Sequence, residues 1–185
     1  MKENKNKSYE DFAAVAQHLI STNICSSSTL ACKGGSNGGL LVGNMYTMYP
    51  SLFAAIHCAV PLLDMKQYSV LLAGASWMAE YGDPSTEDWE FLQHYSPYHN
   101  IDTDNTSTSY PKILFTTSTR DDRVHPAHAR KMTSKLWDLK KEGVYYYENI
   151  EGGHGGAADL KQSAFMTSLA NDFLWNVVTS SALDN

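Results

Sequence analysis

The chain has 185 residues, 43% of them hydrophobic and 18% charged, a balance that supports one buried core and excludes a disordered or collagen-like polymer. Twenty acidic against 14 basic side chains leave a formal charge of -6, so no basic surface favours nucleic acid or anionic lipid, and neither is expected as a partner. Cys25, Cys32 and Cys58 are an odd set without a C-x-x-C pair, which points away from a disulfide framework or zinc knuckle and toward a reducing, cytoplasmic setting. Met1 to Lys7 is polar and basic with no apolar segment behind it, and no run of about 18 apolar residues follows, so a soluble chain is expected.

Ser8 to Asp11 has the form of a capping box, and Phe12, Val15, Ala16, Leu19 and Ile20 recur at helical spacing, predicting a helix over 9–21. The apolar run Thr29 to Cys32, ended by Gly34-Gly35, reads as a buried strand, and Gly39 to Tyr49 as a helix stopped by Pro50. Phe53 to Val60, Lys112 to Ser118 and Val144 to Glu148 are nearly continuous apolar runs, as strands covered on both faces should be. Pro126 opens a helix to about Lys141, with Gly143 as its stop, and a last helix spans about Asp159 to Val178. Strands alternating with helices argue for an α/β fold with a parallel sheet. The segment Pro61 to Tyr110 breaks the rhythm, carries Trp77, Tyr81, Trp89, Phe91 and Tyr95, and ends in the polar loop Asn100 to Ser109. It reads as the wall or lid of a pocket. One domain results, divided into 1–60, the pocket-wall insertion 61–110, and 111–185.

The chemistry concentrates at Gly34-Gly35-Ser36-Asn37-Gly38-Gly39, between a predicted strand and a predicted helix. This fits a G-x-S-x-G nucleophile elbow, where glycines two residues either side of the serine relieve a tight strand-to-helix turn; a glycine-rich turn or a phosphate loop is the plainer alternative. A serine hydroxyl needs an imidazole to take its proton and a carboxylate to hold that imidazole. Asp121 and Asp122 follow the strand Lys112 to Ser118, and His154 follows the strand Val144 to Glu148, the chain order such an elbow requires. Both lie at C-terminal strand ends, where a parallel sheet collects its functional loops. His57 falls in a strand, His18 and His128 on helices, and His94 and His99 in the insertion, where structural roles suffice. His125, before Pro126, suits a helix cap. No His, Asp or Glu set has metal spacing, and no cofactor is implied.

With these residues the sequence resembles the C-terminal part of the catalytic domain of the prolyl oligopeptidase family of serine peptidases. Gly-Gly-Ser-Asn-Gly-Gly at 34–39, Asp-Asp-Arg-Val at 121–124 and Gly-His-Gly at 153–155 carry the resemblance, and Tyr9 to Phe12, Ser76 to Gly82 and Tyr95 to Asn100 extend it. It implies a partial α/β-hydrolase fold of about four parallel strands with flanking helices, the family's β-propeller being absent. By the same resemblance Ser36 is the nucleophile, Asp121 the acid, His154 the base and the Asn37 backbone N–H an oxyanion donor, with Asp122 a structural carboxylate. Arg123 resembles the arginine that grips a substrate carbonyl, Trp77 the tryptophan that stacks on the substrate proline, and Tyr81 and Val124 other pocket-wall positions. The plainer readings are an ion pair for Arg123 and core packing for Trp77.

The implied activity is hydrolysis of short peptides after proline, through an acyl-enzyme; a general acyl hydrolase acting on small esters is a near alternative. The family's upstream half-sheet, and a tyrosine resembling a second oxyanion donor, have no counterpart in this chain. Losing one such donor costs a hydrolase roughly 100 to 1000-fold in rate. The elbow strand would then offer an unpaired edge to an N-terminal segment or a second copy, and a catalytically incompetent binding module is the alternative from another class.

Overall fold

The computed structural model describes residues 1–103 and 108–183, with side chains to 180. A 3-10 turn over Lys2–Lys5 runs directly into α1 (Asn6–Ser21). The expected capping box is therefore not a cap. Ser8 lies inside the helix, because Lys5 at its entry already has helical φ -62 and ψ -30. Tyr9, Ala13 and Ala16 form the buried stripe of α1.

The first strand, β1 (Ala31–Gly35), begins later than the run at Thr29 suggests and includes both glycines. Thr29 belongs to a turn: its amide donates to the Ser26 carbonyl and its Oγ1 accepts the Ser26 amide, both at 3.0 Å. α2 (Asn37–Met48) and β2 (Ala55–Ala59) follow, the strand shorter than the run from Phe53 to Val60. The insertion carries α3 (Met78–Tyr81) and α4 (Trp89–Leu92) with 3-10 turns at Tyr68–Val70, Leu72–Trp77 and Gln93–Tyr95. It is a packed layer and not a draped loop, since Leu63, Met65, Tyr68, Leu92 and Tyr95 are all 0% exposed. Its polar loop 100–109 lies partly outside the described residues.

β3 (Lys112–Ser118) coincides with its apolar run. α5 (Ala127–Asp138) ends before Lys141, where Lys140 at φ 54 turns the chain out of the helix. β4 (Val144–Asn149) and α6 (Leu160–Leu183) complete the order. Among the described residues no helix is long and apolar enough to cross a membrane.

The four strands pair in the order β1-β2-β3-β4, all parallel, in registers that set Ala31 against Ala55, Ala55 against Lys112 and Ile113 against Val144. Parallel pairing brings every C-terminal strand end to one side of the sheet. Strand alternation separates two faces. Ile56, Cys58, Ile113 and Phe115 join Leu40, Val42, Met132 and Leu136 of α2 and α5 in the main core, where the Cys58 thiol donates to the Gly39 carbonyl at 3.3 Å. α6 covers the other face over β2 and β3, burying Ala170 and Val177.

Candidate active site

Ser36 joins β1 to α2 at φ 58 and ψ -117, a region in which a non-glycine residue costs about 1 to 3 kcal/mol. Its amide donates to the Ala59 carbonyl at 2.9 Å, fixing the turn against β2. The glycines of the elbow divide the steric work unevenly. A Cβ on Gly34 would lie 2.2 Å from the Gly38 carbonyl oxygen, and one on Gly39 would lie 2.7 Å from Pro61 Cβ, whereas one on Gly38 would meet nothing within 4 Å. Asn37 opens α2, so its N–H is among those with no acceptor inside the helix, at the positive end of the helix dipole. Its side chain donates to Glu80 Oε1 at 3.4 Å, and Lys5 Nζ holds the same oxygen at 2.5 Å.

Asp121 is 4% exposed, just beyond β3, and its Oδ1 accepts the amides of Arg123 and Val124, each at 2.9 Å. His154 Nδ1 lies 2.9 Å from Asp121 Oδ2 and 3.1 Å from Oδ1. A carboxylate only accepts, so Nδ1 carries the proton and Nε2 keeps its lone pair for a proton arriving from the other side. Asp122 is exposed and stands outside this pair. Among the described residues Ser36 Oγ makes no hydrogen bond to His154: Asp121 and His154 pair beyond β3 and β4, while Ser36 follows β1, on the far side of β2. Such contacts tighten when substrate loads. Backbone bonds stitch the strand ends together: Ser36 to Ala59, Val60 to Thr116 at 2.7 Å, and Thr119 to Asn149 at 2.8 Å.

Arg123 is exposed and makes no ion pair among the described residues. Its carbonyl accepts the Ala73 amide at 3.3 Å, which ties the acid loop to the turn that ends at Trp77. Trp77 is half-buried against the core. Tyr81 and Val124 are each 2% exposed. Lys5 Nζ sits 5.2 Å from the centre of the Tyr81 ring and Tyr68 meets it edge-on at 5.6 Å, so that ring is enclosed in the free chain.

The remaining candidates have structural partners. His57 bonds Thr116 Oγ1 through Nε2 at 2.9 Å, and burial, aided by Lys33, pushes its pKa down to about 4. His128 accepts the Asp64 amide on Nδ1 at 3.1 Å, and burial likewise takes it down to about 4. His125 Nδ1 accepts the Ala127 amide at 3.0 Å, the capping role that its position before Pro126 suggested. Burial pushes the Cys32 thiol up to about 12 and raises Cys58 well above its ordinary value, which removes both as nucleophiles. A cavity of about 190 Å³ between the sheet and α6 is lined by Lys33, His57, Thr116, His154 and Met166. It reaches His154 and touches neither Ser36 nor Arg123.

Sequence reading passed over Asn149 and Gln162, which bond to the loop that carries His154. A buried amide at the end of β4, directly before a glycine-rich loop, is the signal that could have found the first. Gln162 has no such signal.

A model of the prolyl oligopeptidase family matches residues 1–180. An uncharacterised peptidase of Sinorhizobium fredii is 48% identical over 165 residues, covering 89% of this chain and 22% of its own. The prolyl endopeptidase of Dictyostelium discoideum is 35% identical over 178 residues, 93% of this chain and 23% of its own. Among solved structures, a post-proline cleaving enzyme from Rickettsia typhi superposes with a TM-score of 0.89 at 37% identity, over 97% of this chain and 26% of the other. The chain thus spans about a quarter of the length of these relatives. Its four parallel strands and flanking helices match the C-terminal α/β-hydrolase domain of such peptidases. Matched almost end to end by that family model and by these relatives, the chain belongs to the prolyl oligopeptidase family.

Proposed function

We propose that this chain carries the triad of a serine peptidase that cleaves short peptides on the carboxyl side of proline. The single observation that supports it best is the His154 to Asp121 hydrogen bond, formed on the C-terminal edge of the sheet that also carries a serine held at positive φ. Ser36 Oγ attacks the scissile carbonyl and gives its proton to His154 Nε2, while Asp121 holds Nδ1–H and stabilises the imidazolium. The Asn37 N–H faces the developing oxyanion. His154 then protonates the leaving amine, and water, deprotonated by the same nitrogen, releases the acyl group from Ser36.

Arg123, exposed and unpaired by carboxylates among the described residues, suits a substrate carbonyl. Trp77 offers a flat apolar face for a pyrrolidine ring, with Tyr81 and Val124 as the layer behind it. The names of relatives, a prolyl endopeptidase and a post-proline cleaving enzyme, favour the same specificity. A second reading, a chain that binds without turnover, is favoured by the unmade bond between Ser36 and His154 among the described residues.

A fluorophosphonate probe and a Gly-Pro anilide separate the two. The peptidase reading expects labelling that Ser36→Ala abolishes, and faster cleavage of Gly-Pro than of Gly-Ala anilide. A folded, monodisperse chain that neither labels nor cleaves would sink it for this chain. Labelling that survives Ser36→Ala would remove the nucleophile assignment, and equal cleavage of the two anilides would remove the specificity.

A further inference from the structure

The end of β4 presents two adjacent side chains that alternation sends to opposite faces of the sheet. Glu148, on the α5 side, accepts from Thr119 Oγ1 at 2.5 Å, from Arg130 Nε at 3.0 Å and from the Tyr146 hydroxyl. Thr119 begins the loop that carries Asp121, and its amide donates to the Asn149 carbonyl. Asn149, on the α6 side and 7% exposed, uses its whole hydrogen-bonding capacity. Its Nδ2 donates to the Gly156 carbonyl at 3.0 Å and to Gln162 Oε1 at 2.8 Å. Its Oδ1 accepts the amides of Glu151 at 3.0 Å and Gly152 at 3.3 Å. Gln162 closes the ring, accepting the Ala158 amide at 2.9 Å and donating to Glu151 Oε2 at 2.6 Å.

The loop after β4 is thus gripped where it leaves the strand and again where it returns, with His154 between the two grips. Gly152, Gly153, Gly155 and Gly156 surround the histidine and contribute no side chain that could anchor it. Glycine-rich backbone has the most conformational freedom to lose, so an outside clamp must select the conformer. The same strand end reaches the acid through Glu148 and Thr119 and the base through Asn149.

We propose that Glu148 and Asn149 are paired positioning residues that set the His154 imidazole on the Asp121 carboxylate, Asn149 by clamping the base's loop and Glu148 by anchoring the acid's. The effect on catalysis rests on the triad reading above; the effect on the imidazole does not.

The test uses the full chain with Asn149→Ala, Asn149→Asp and Glu148→Gln, read by proton NMR of the His154 Nδ1–H and by hydrogen exchange of the loops. Wild type should show a downfield Nδ1–H signal. Asn149→Ala should lose it and speed exchange across residues 150–158 by about tenfold or more, with the circular dichroism unchanged. Asn149→Asp keeps the accepted bonds but not the donated ones and should fall between. Glu148→Gln should speed exchange at residues 119–122 and leave 150–158 alone. Where Ser36 labels, Asn149→Ala should slow labelling by roughly 10 to 100-fold and lower kcat with KM little changed. The proposal is overturned if wild type lacks the signal, or if Asn149→Ala keeps both the signal and wild-type exchange. Should Asn149→Ala not fold, wild-type behaviour of Asn149→Asp and Glu148→Gln overturns it equally. If wild type shows the signal but never labels at Ser36, the triad reading fails while the positioning inference is still decided by NMR and exchange.

Discussion

β3 runs between two neighbours and buries six of its seven residues, whereas β1 lies at the margin of the sheet with Lys33 and Gly35 open to solvent. Each strand delivers one candidate catalytic residue, and the support each receives differs accordingly. Asp121 is held by the two amides of its own loop, by His154, and indirectly by Thr119 on Glu148. Ser36 is held by two backbone bonds, its amide donating to the Ala59 carbonyl and its carbonyl accepting the Leu40 amide, and by the close approach of Gly34 to α2, and it carries backbone strain besides. A strained turn persists only when its surroundings over-determine it. The Asp121 and His154 side meets that condition through side-chain networks, and the Ser36 side meets it through backbone bonds and packing against β2 and α2.

The largest way to break the comparison is Asp121→Asn, which keeps the shape but frees the imidazole to take the wrong tautomer. Ser36 labelling should slow by about 10⁴-fold, while Asp122→Asn, outside the pair, should change it by no more than about twofold. Equal responses would put the wrong aspartate in the site.

Next comes the elbow. Gly34→Ala drives a Cβ into the Gly38 carbonyl and should lose about 2 to 3 kcal/mol in urea unfolding. Gly38→Ala meets open space inside a helix and should be neutral or gain up to about 1 kcal/mol. If both lose alike, the close approach of strand and helix is not what shapes the turn.

Acid probes both halves at once. His57 and His128 are held near about 4 when folded, below the reference of about 6.5 for the unfolded chain, so the unfolded state binds more protons between those values. Their neutral forms are therefore fully compatible with folding above about pH 6.5, and stability falls as pH drops from there toward 4. For His128, which is 1% exposed, the loss is on the order of 3 kcal/mol. Urea midpoints between about pH 7 and pH 4.5 should show it. His128→Asn should flatten the curve, and an unchanged slope would count against the buried neutral ring.

The smallest effect is that of Glu148, whose hydrogen bond from Arg130 holds its carboxyl down at about 2. This stabilisation is present above the ordinary carboxylate value and is lost as pH falls through about 2. Because the Arg130 side chain is 46% exposed, screening keeps it below about 1 kcal/mol, so Glu148→Gln should barely shift the neutral-pH unfolding midpoint.

Lys112–Ser118 was legible to the residue, because its apolar Ile113-Leu114-Phe115 and the β-branched Thr116-Thr117 suit a strand covered on both faces. Ala31–Gly35 was not, because Gly34-Gly35 looks like a break until α2 is seen passing too close for a Cβ. Ser8 and Asp11 have the right types for a cap, but the preceding turn already runs helical, and that is invisible in their spacing. Tyr81 resembles a pocket wall by motif, yet Lys5 and Tyr68 enclose its ring, a contact between distant segments.

Residue types in order along the chain determined the strand-to-helix turn at Ser36 and the parallel sheet with its flanking helices, because turn chemistry and apolar periodicity are local. The tertiary structure decided what depends on distance across the fold. It paired His154 with Asp121 and not Asp122 and joined Asn149 to the loop that carries His154, since hydrogen bonds are chosen by atoms a few ångströms apart in space, whatever their separation in sequence.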